Sequence, residues 1–366
     1  MARLVAIIVA VAVLIVASLA TRHEAPSTAV EVLEAPIDHT LLSEVDVLIA
    51  ERNAVFSGCD EGSTDDDLET RKDEWDQLQR QVVSVLEASA DAEHLLVAAL
   101  LTWRDEPDRA LQLLGEATAR DPSDPLIASQ LLELCIRFSG QCSRPRTEVE
   151  QKLIAADRAN GLAWVQVARS RLERSDEEGA IAAMKEAVAA ATIEEYFADY
   201  VLLFDRALAA SADLSAYERF EGAFGFSAAM VSSSYQITAD CTERATSSAE
   251  WQDACLRLGE RLEHGSRTLL GKGIGFGLQK QMYNLAGNTR QYDLVSGRYE
   301  VFRNEYRELT AKSTQALELR DATVTRKYVE TLNASDELAA MRYVAEEVQS
   351  RLPGSDPAQQ STCSNP

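Results

Sequence analysis

Residues 108–125 read DRALQLLGEATARDPSDP. Ala110, Leu114 and Ala117 follow one another at steps of four and three, the spacing of a single helix face, and Asp121-Pro122 closes the run. Numbered from Asp91 as position 1, Val97 and Ala98 stand at 7 and 8, Ala110 at 20, Leu114 at 24, Ala117 at 27 and Pro122 at 32. The stretch GLAWVQVARSRLERSDEEGAIAAMKEAVAA, numbered from Gly161, repeats the scheme. Trp164 stands at 4, Val167 and Ala168 at 7 and 8, Ala180 at 20, Met184 at 24 and Ala187 at 27. Small residues at 8, 20 and 27 let two antiparallel helices approach closely, and large ones at 4, 7 and 24 fill the space between neighbouring pairs.

From Ala110 to Ala180 is 70 positions, close to two units of about 34. The surplus falls in residues 125–160, where CIRFSGQC lengthens an inter-helix turn, and a weaker fourth unit begins near Glu195. These offsets resemble the tetratricopeptide-repeat family over about residues 91–210, with departures: position 8 is Ala, position 11 is not Tyr, and the middle unit matches mainly at its end. The expected fold is all-α, a TPR-like array of helical hairpins over 64–210 followed by a C-terminal helical region, 211–352, and a disordered tail, 353–366. In that region Val295, Tyr299, Phe302, Tyr306 and Leu309 form one apolar stripe, and Leu338, Met341, Ala345, Val348 and Leu352 another. Packing on the array and docking of a partner or second copy are the two readings of these stripes.

Outward from the repeats, the N-terminus bears on location. MARLVAIIVAVAVLIVASLATRHE sets Arg3 before an apolar run from Leu4 to Ala17, and Ser18-Leu19-Ala20 then supplies small residues suited to a cleavage site. A signal peptide cleaved near Ala20 and an anchor retained in the inner membrane through residues 4–20 are both open, and both place the body in the periplasm or another extracytoplasmic space. Residues 21–63 read as a linker. STDDDLE, 63–69, opens the helical body with a cap and first-turn carboxylates.

The chain has 366 residues, 46% of them hydrophobic, enough for a large core. Its 59 acidic and 36 basic side chains leave a net charge of -23, which repels phosphate backbones and excludes nucleic acid as an expected partner. Six cysteines in an exported chain can form disulfides, with Cys135–Cys142 and Cys241–Cys255 the expected local pairs and the state of Cys59 and Cys363 open. No C-x-x-C occurs and the four histidines are scattered, so no metal or cofactor is expected. GKGIGFG, 271–277, has neither phosphate-loop nor dinucleotide-loop spacing and reads as a helix face made for close approach. GFSAA, 225–229, lacks the last glycine of a nucleophile elbow.

No catalytic residues are therefore assigned. The leading expectation is a non-enzymatic scaffold that binds a protein or peptide; an envelope hydrolase on a helical body and a structural subunit of an envelope complex are the alternatives. The family resemblance implies that the first helix of each repeat lines a concave face. Carried onto this chain, that face holds Trp103, Ile136, Arg137, Arg169, Glu173, Tyr196 and Arg206. Arginine can fork two donors onto a carboxylate, so an acidic segment or a free C-terminus is the expected ligand.

Overall fold

The computed structural model describes residues 65–89, 91–233, 236–318 and 322–351. The expected signal or anchor, the linker, the Ser63 or Thr64 cap, Cys59, Leu352, the tail and Cys363 lie outside the described residues, as does the side chain of Val348.

The described residues form fifteen α-helices and no strands. They are α1 (Asp65–Glu87), α2 (Ala92–Thr102), α3 (Pro107–Arg120), α4 (Pro125–Arg137), α5 (Arg146–Asp157), α6 (Gly161–Leu172), α7 (Glu177–Ala189) and α8 (Phe197–Ser211). There follow α9 (Ala216–Ser233), α10 (Ile237–Ala245), α11 (Ala249–Gly265), α12 (Leu269–Leu285), α13 (Thr289–Glu318), α14 (Ala322–Ala334) and α15 (Glu337–Arg351). Local chemistry sets many of the starts. Asp91, Asp124, Asn160, Asp176, Ser248 and Thr268 each accept a backbone N–H of the helix they precede, and Pro107 and Pro125 stand at the first helical position.

Helices α2 and α3, α4 and α5, and α6 and α7 pack as consecutive hairpins. Ala110, Ala117, Ala180 and Ala187 are wholly buried, as are Leu114, Met184 and Ala168, while Ala119 on the outer face is exposed. Four residues, 103–106, join the first pair and four, 173–176, the third; the middle turn runs from 138 to 145. The lengthened turn is stapled by the Cys135–Cys142 disulfide, and a second disulfide, Cys241–Cys255, ties α10 to α11. Both pairs fit an oxidising extracytoplasmic environment.

After α7 the simple succession ends. Helix α7 packs on α11, whereas α8 folds back against α1 and α2 and carries α9 as its hairpin partner, on which α14 also rests. The clasp that turns the chain is polar and buried. Asn160, 1% exposed, accepts the N–H groups of Leu162 and Glu194 and donates to the Glu194 carbonyl. Gly161 donates to the Thr192 carbonyl at 2.8 Å, and any Cβ there would lie 2.6 Å from the Ala187 carbonyl oxygen. The α8–α9 pair spans the boundary expected at 210–211, and one continuous core runs from Val82 to Val344 through both regions.

In the C-terminal half, α11 and α12 meet through glycines: a Cβ on Gly275 would lie 2.7 Å from the Gly259 carbonyl oxygen. The glycine-rich stretch is thus a contact face within α12. Val295, Tyr299, Phe302 and Tyr306 of α13 are buried, with Phe276 of α12 5.7 Å from Tyr299 and 5.5 Å from Phe302 between ring centroids. Leu338, Met341 and Ala345 of α15 are buried too, so the described residues of both stripes pack within the molecule. No helix among the described residues is long and apolar enough to cross a membrane.

Candidate functional site

The C-terminal ends of α2, α4 and α6 converge, and each brings an arginine: Arg104 just past α2, Arg137 and Arg169 in the last turns of α4 and α6. Helix C-termini carry partial negative charge, which favours cations there. Trp103, the C-cap of α2, is half-buried at the centre of the cluster. The Arg137 guanidinium lies 4.5 Å from its ring centroid and that of Arg104 5.2 Å, both within cation–π range. Phe138 adds a second aromatic ring with its centroid 6.3 Å away.

One carboxylate organises the floor. Glu133, 2% exposed, accepts from Arg137 through Oε1 at 3.2 Å and from Arg169 through Oε2 at 2.8 Å. Arg169 also donates to Gln236 at the start of α10. Ser129 donates to Gln166 at 3.0 Å and Gln130 to the Tyr200 hydroxyl at 2.6 Å, carrying the buried polar layer from α4 to α6 and α8. Beneath it, Glu150 accepts from Ser170 at 2.6 Å and pairs with Arg171 and Arg174.

Sequence reasoning did not single out Arg104, which is exposed at the edge of this layer. Burial of its inner face, followed by the charge of Arg137, holds its pKa below the usual guanidinium value; Asp105 opposes this more weakly. Two guanidiniums, those of Arg104 and Arg137, thus lie together at the Trp103 ring in a chain of net charge -23. The signal that could have found it is its place beside Trp103 at a helix end.

Among the expected groove residues, Trp103, Arg137 and Arg169 come together, with Ile136 buried behind them and Glu173 exposed one residue past α6. Arg169 is only 6% exposed and engaged by Glu133 and Gln236, so it supports the site from below rather than facing solvent. Tyr196 and Arg206 stand elsewhere. Tyr196, at a left-handed φ of 58°, sits at the opposite end of α6 with its hydroxyl on Asp157; burial first and Asp157 second push its pKa well up. Arg206 pairs with Glu93 at 2.7 Å, at the start of α2, an α-helix length from Trp103. A single surface holding all seven residues does not form, because α8 lies against α1 and α2 instead of extending the stack beyond α7.

Apart from this cluster, a concavity of about 490 Å³ opens where the end of α7 faces the last turns of α11, lined by Val188, Arg257, Glu260, Arg261, His264 and Gly265. Among the described residues, no group of three His, Cys, Asp or Glu side chains could hold a metal ion. No protein-family model, curated protein or solved structure matches this chain.

Proposed function

We propose that this chain is an exported, non-enzymatic scaffold of tetratricopeptide-like hairpins that binds a protein or peptide at the Trp103 cluster. The observation that carries the reading is the exposed pairing of Arg104 with the half-buried Trp103, at the convergence of three hairpins, on an otherwise strongly acidic molecule. Aromatic and arginine side chains are the commonest anchors of interfaces. The two neighbouring guanidiniums of Arg104 and Arg137 favour an acidic segment or a free C-terminus as the ligand. The buried alanines at the repeat offsets support the family likeness, and the two disulfides support export.

The test is photo-crosslinking in cells of the source. A crosslinking side chain at exposed Asp105, beside the cluster, is expected to trap one discrete partner, and the same group at exposed Gln112 on α3 is not. Adding Arg104→Ala should remove the adduct while leaving the melting temperature within a few degrees. An identical adduct from both positions, none from position 105, or an adduct that survives Arg104→Ala would overturn the reading.

A further inference from the structure

The concavity between α7 and α11 is unrelated to the Trp103 cluster and holds a different chemistry. Arg257, Arg261 and His264 fall at steps of four and three along α11, so one stripe of that helix turns three basic side chains toward the hollow. Such clustering is uncommon on a chain with 59 acidic and 36 basic residues.

The three are held to different degrees. Arg261 is half-buried and donates from one terminal nitrogen to the Ala190 carbonyl at 2.6 Å, just past the end of α7. That bond fixes the guanidinium plane. Its Nε–H is buried without an acceptor, although a guanidinium carries five N–H donors. An orphaned buried donor is costly, and native proteins rarely keep one without a partner. Arg257 is exposed and paired only with Asp253, one turn back on its own helix at 3.1 Å; such exposed pairs are weak and exchange readily. His264 bonds the Glu260 carbonyl through Nδ1 at 2.8 Å, which orients the ring and leaves Nε2 uncommitted. The carboxylate of Glu260, the one acidic lining residue, interacts with Tyr283 of α12.

Val188 and Gly265 supply the uncharged part of the wall, and Ile193 stands behind Gly265, 3.6 Å from where a Cβ would be. A volume of about 490 Å³ lies in the range of small-molecule sites, of about 300–1,000 Å³. A guanidinium oriented by its bond to Ala190, a second, exposed one and an imidazole match the oxygens of a carboxylate or phosphate. The apolar wall favours an organic body over a bare ion.

We propose that the α7–α11 concavity is a binding site for a small organic oxyanion, with Arg261 as the fixed anchor and Arg257 and His264 closing on the anionic group. The reading of the Trp103 cluster plays no part in this.

The test titrates the full chain with hexanoate, the neutral hexanamide and inorganic phosphate, following the Arg261 Nε–H resonance assigned by its loss in Arg261→Gln. Hexanoate is expected to shift that resonance saturably and to bind at least tenfold more tightly than hexanamide. Arg257→Gln/His264→Gln, which leaves the Ala190 contact intact, should weaken hexanoate at least fivefold with an unchanged melting temperature. Hexanoate binding more tightly than phosphate supports an organic ligand; phosphate binding as tightly as hexanoate overturns the role of the apolar wall. Equal binding of hexanoate and hexanamide, no saturable shift below about 10 mM, or unchanged affinity in the double variant would overturn the site.

Discussion

Gly259 and Gly275 meet backbone to backbone where α11 crosses α12. A Cβ on Gly259 would lie 2.9 Å from the Gly275 carbonyl oxygen, and one on Gly275 would lie 2.5 Å from the Glu263 amide nitrogen. Neither neighbour is a flexible side-chain end, so an added methyl must push the helices apart. Gly275→Ala should therefore destabilise the protein by about 1–3 kcal/mol through overpacking. Gly115 on α3 has nothing within 4 Å of its Cβ position. Gly115→Ala should stabilise by roughly 0.5–1 kcal/mol, since alanine orders more cheaply in a helix. Denaturant unfolding of both variants checks the contrast.

The repeat alanines make a parallel case. Ala110 and Ala180 are wholly buried, and Ala119 is exposed. Leucine at either buried position is expected to cost about 1–3 kcal/mol, and at Ala119 to stay within about 0.5 kcal/mol. Equal small effects at all three in thermal unfolding would contradict the hairpin contacts.

Glu133 is the shared partner of Arg137 and Arg169, and all its charge is buried. Glu133→Ala strands Arg169 in the interior and should cost about 3–5 kcal/mol. Glu133→Leu combined with Arg169→Met removes both buried charges and should cost clearly less than the sum of the single changes. A double-mutant cycle by chemical denaturation measures the coupling; additivity would mean the two do not interact.

Glu263 sets an acid limit. Burial alone would raise its pKa, but hydrogen bonds from Arg298 and Gln279 and the Arg298 charge outweigh it, leaving the carboxyl below its usual range. A depressed folded-state pKa contributes stability above the unfolded value of 4.5, and that stability is lost as pH falls through the folded pKa. Arg298→Gln should raise the midpoint of acid unfolding, and Glu263→Gln should flatten the dependence of stability on pH below about 5. Circular dichroism across pH 2–7 reads both; superimposable curves for wild type and Arg298→Gln would contradict the assignment.

The disulfides carry a stability prediction as well. Under the loop-entropy account, loss of Cys241–Cys255 should cost about 3 kcal/mol and loss of the shorter Cys135–Cys142 loop about 2.5 kcal/mol. Two separate linked peptides should appear after non-reducing digestion of protein from its own compartment. The Cys135–Cys142 bond also spans Arg137 and Phe138, so its removal should loosen the ring contact with Trp103.

The sequence by itself determined the helical class, the hairpin partners of α2–α7 and the buried faces of α2, α3, α6, α7 and α13. Each rests on contacts a few residues apart, where a 3.6-residue period, a cap or a small-residue spacing is the cause. It also carried the glycine face of α12 and both disulfides, because glycine content and loop length limit what those residues can do. Only the tertiary structure decided that α7 hands over to α11 while α8 returns to α1 and α2. That choice depends on which apolar faces fit together across a hundred residues, and no local period records it. The same reason hid the chemistry of the arginines. Arg169 is held by Glu133, 36 positions upstream, and Arg206 by Glu93, 113 positions away, whereas Arg104 is left facing solvent beside Trp103. Which cation is neutralised and which remains available is a property of distances in space, and packing alone sets them.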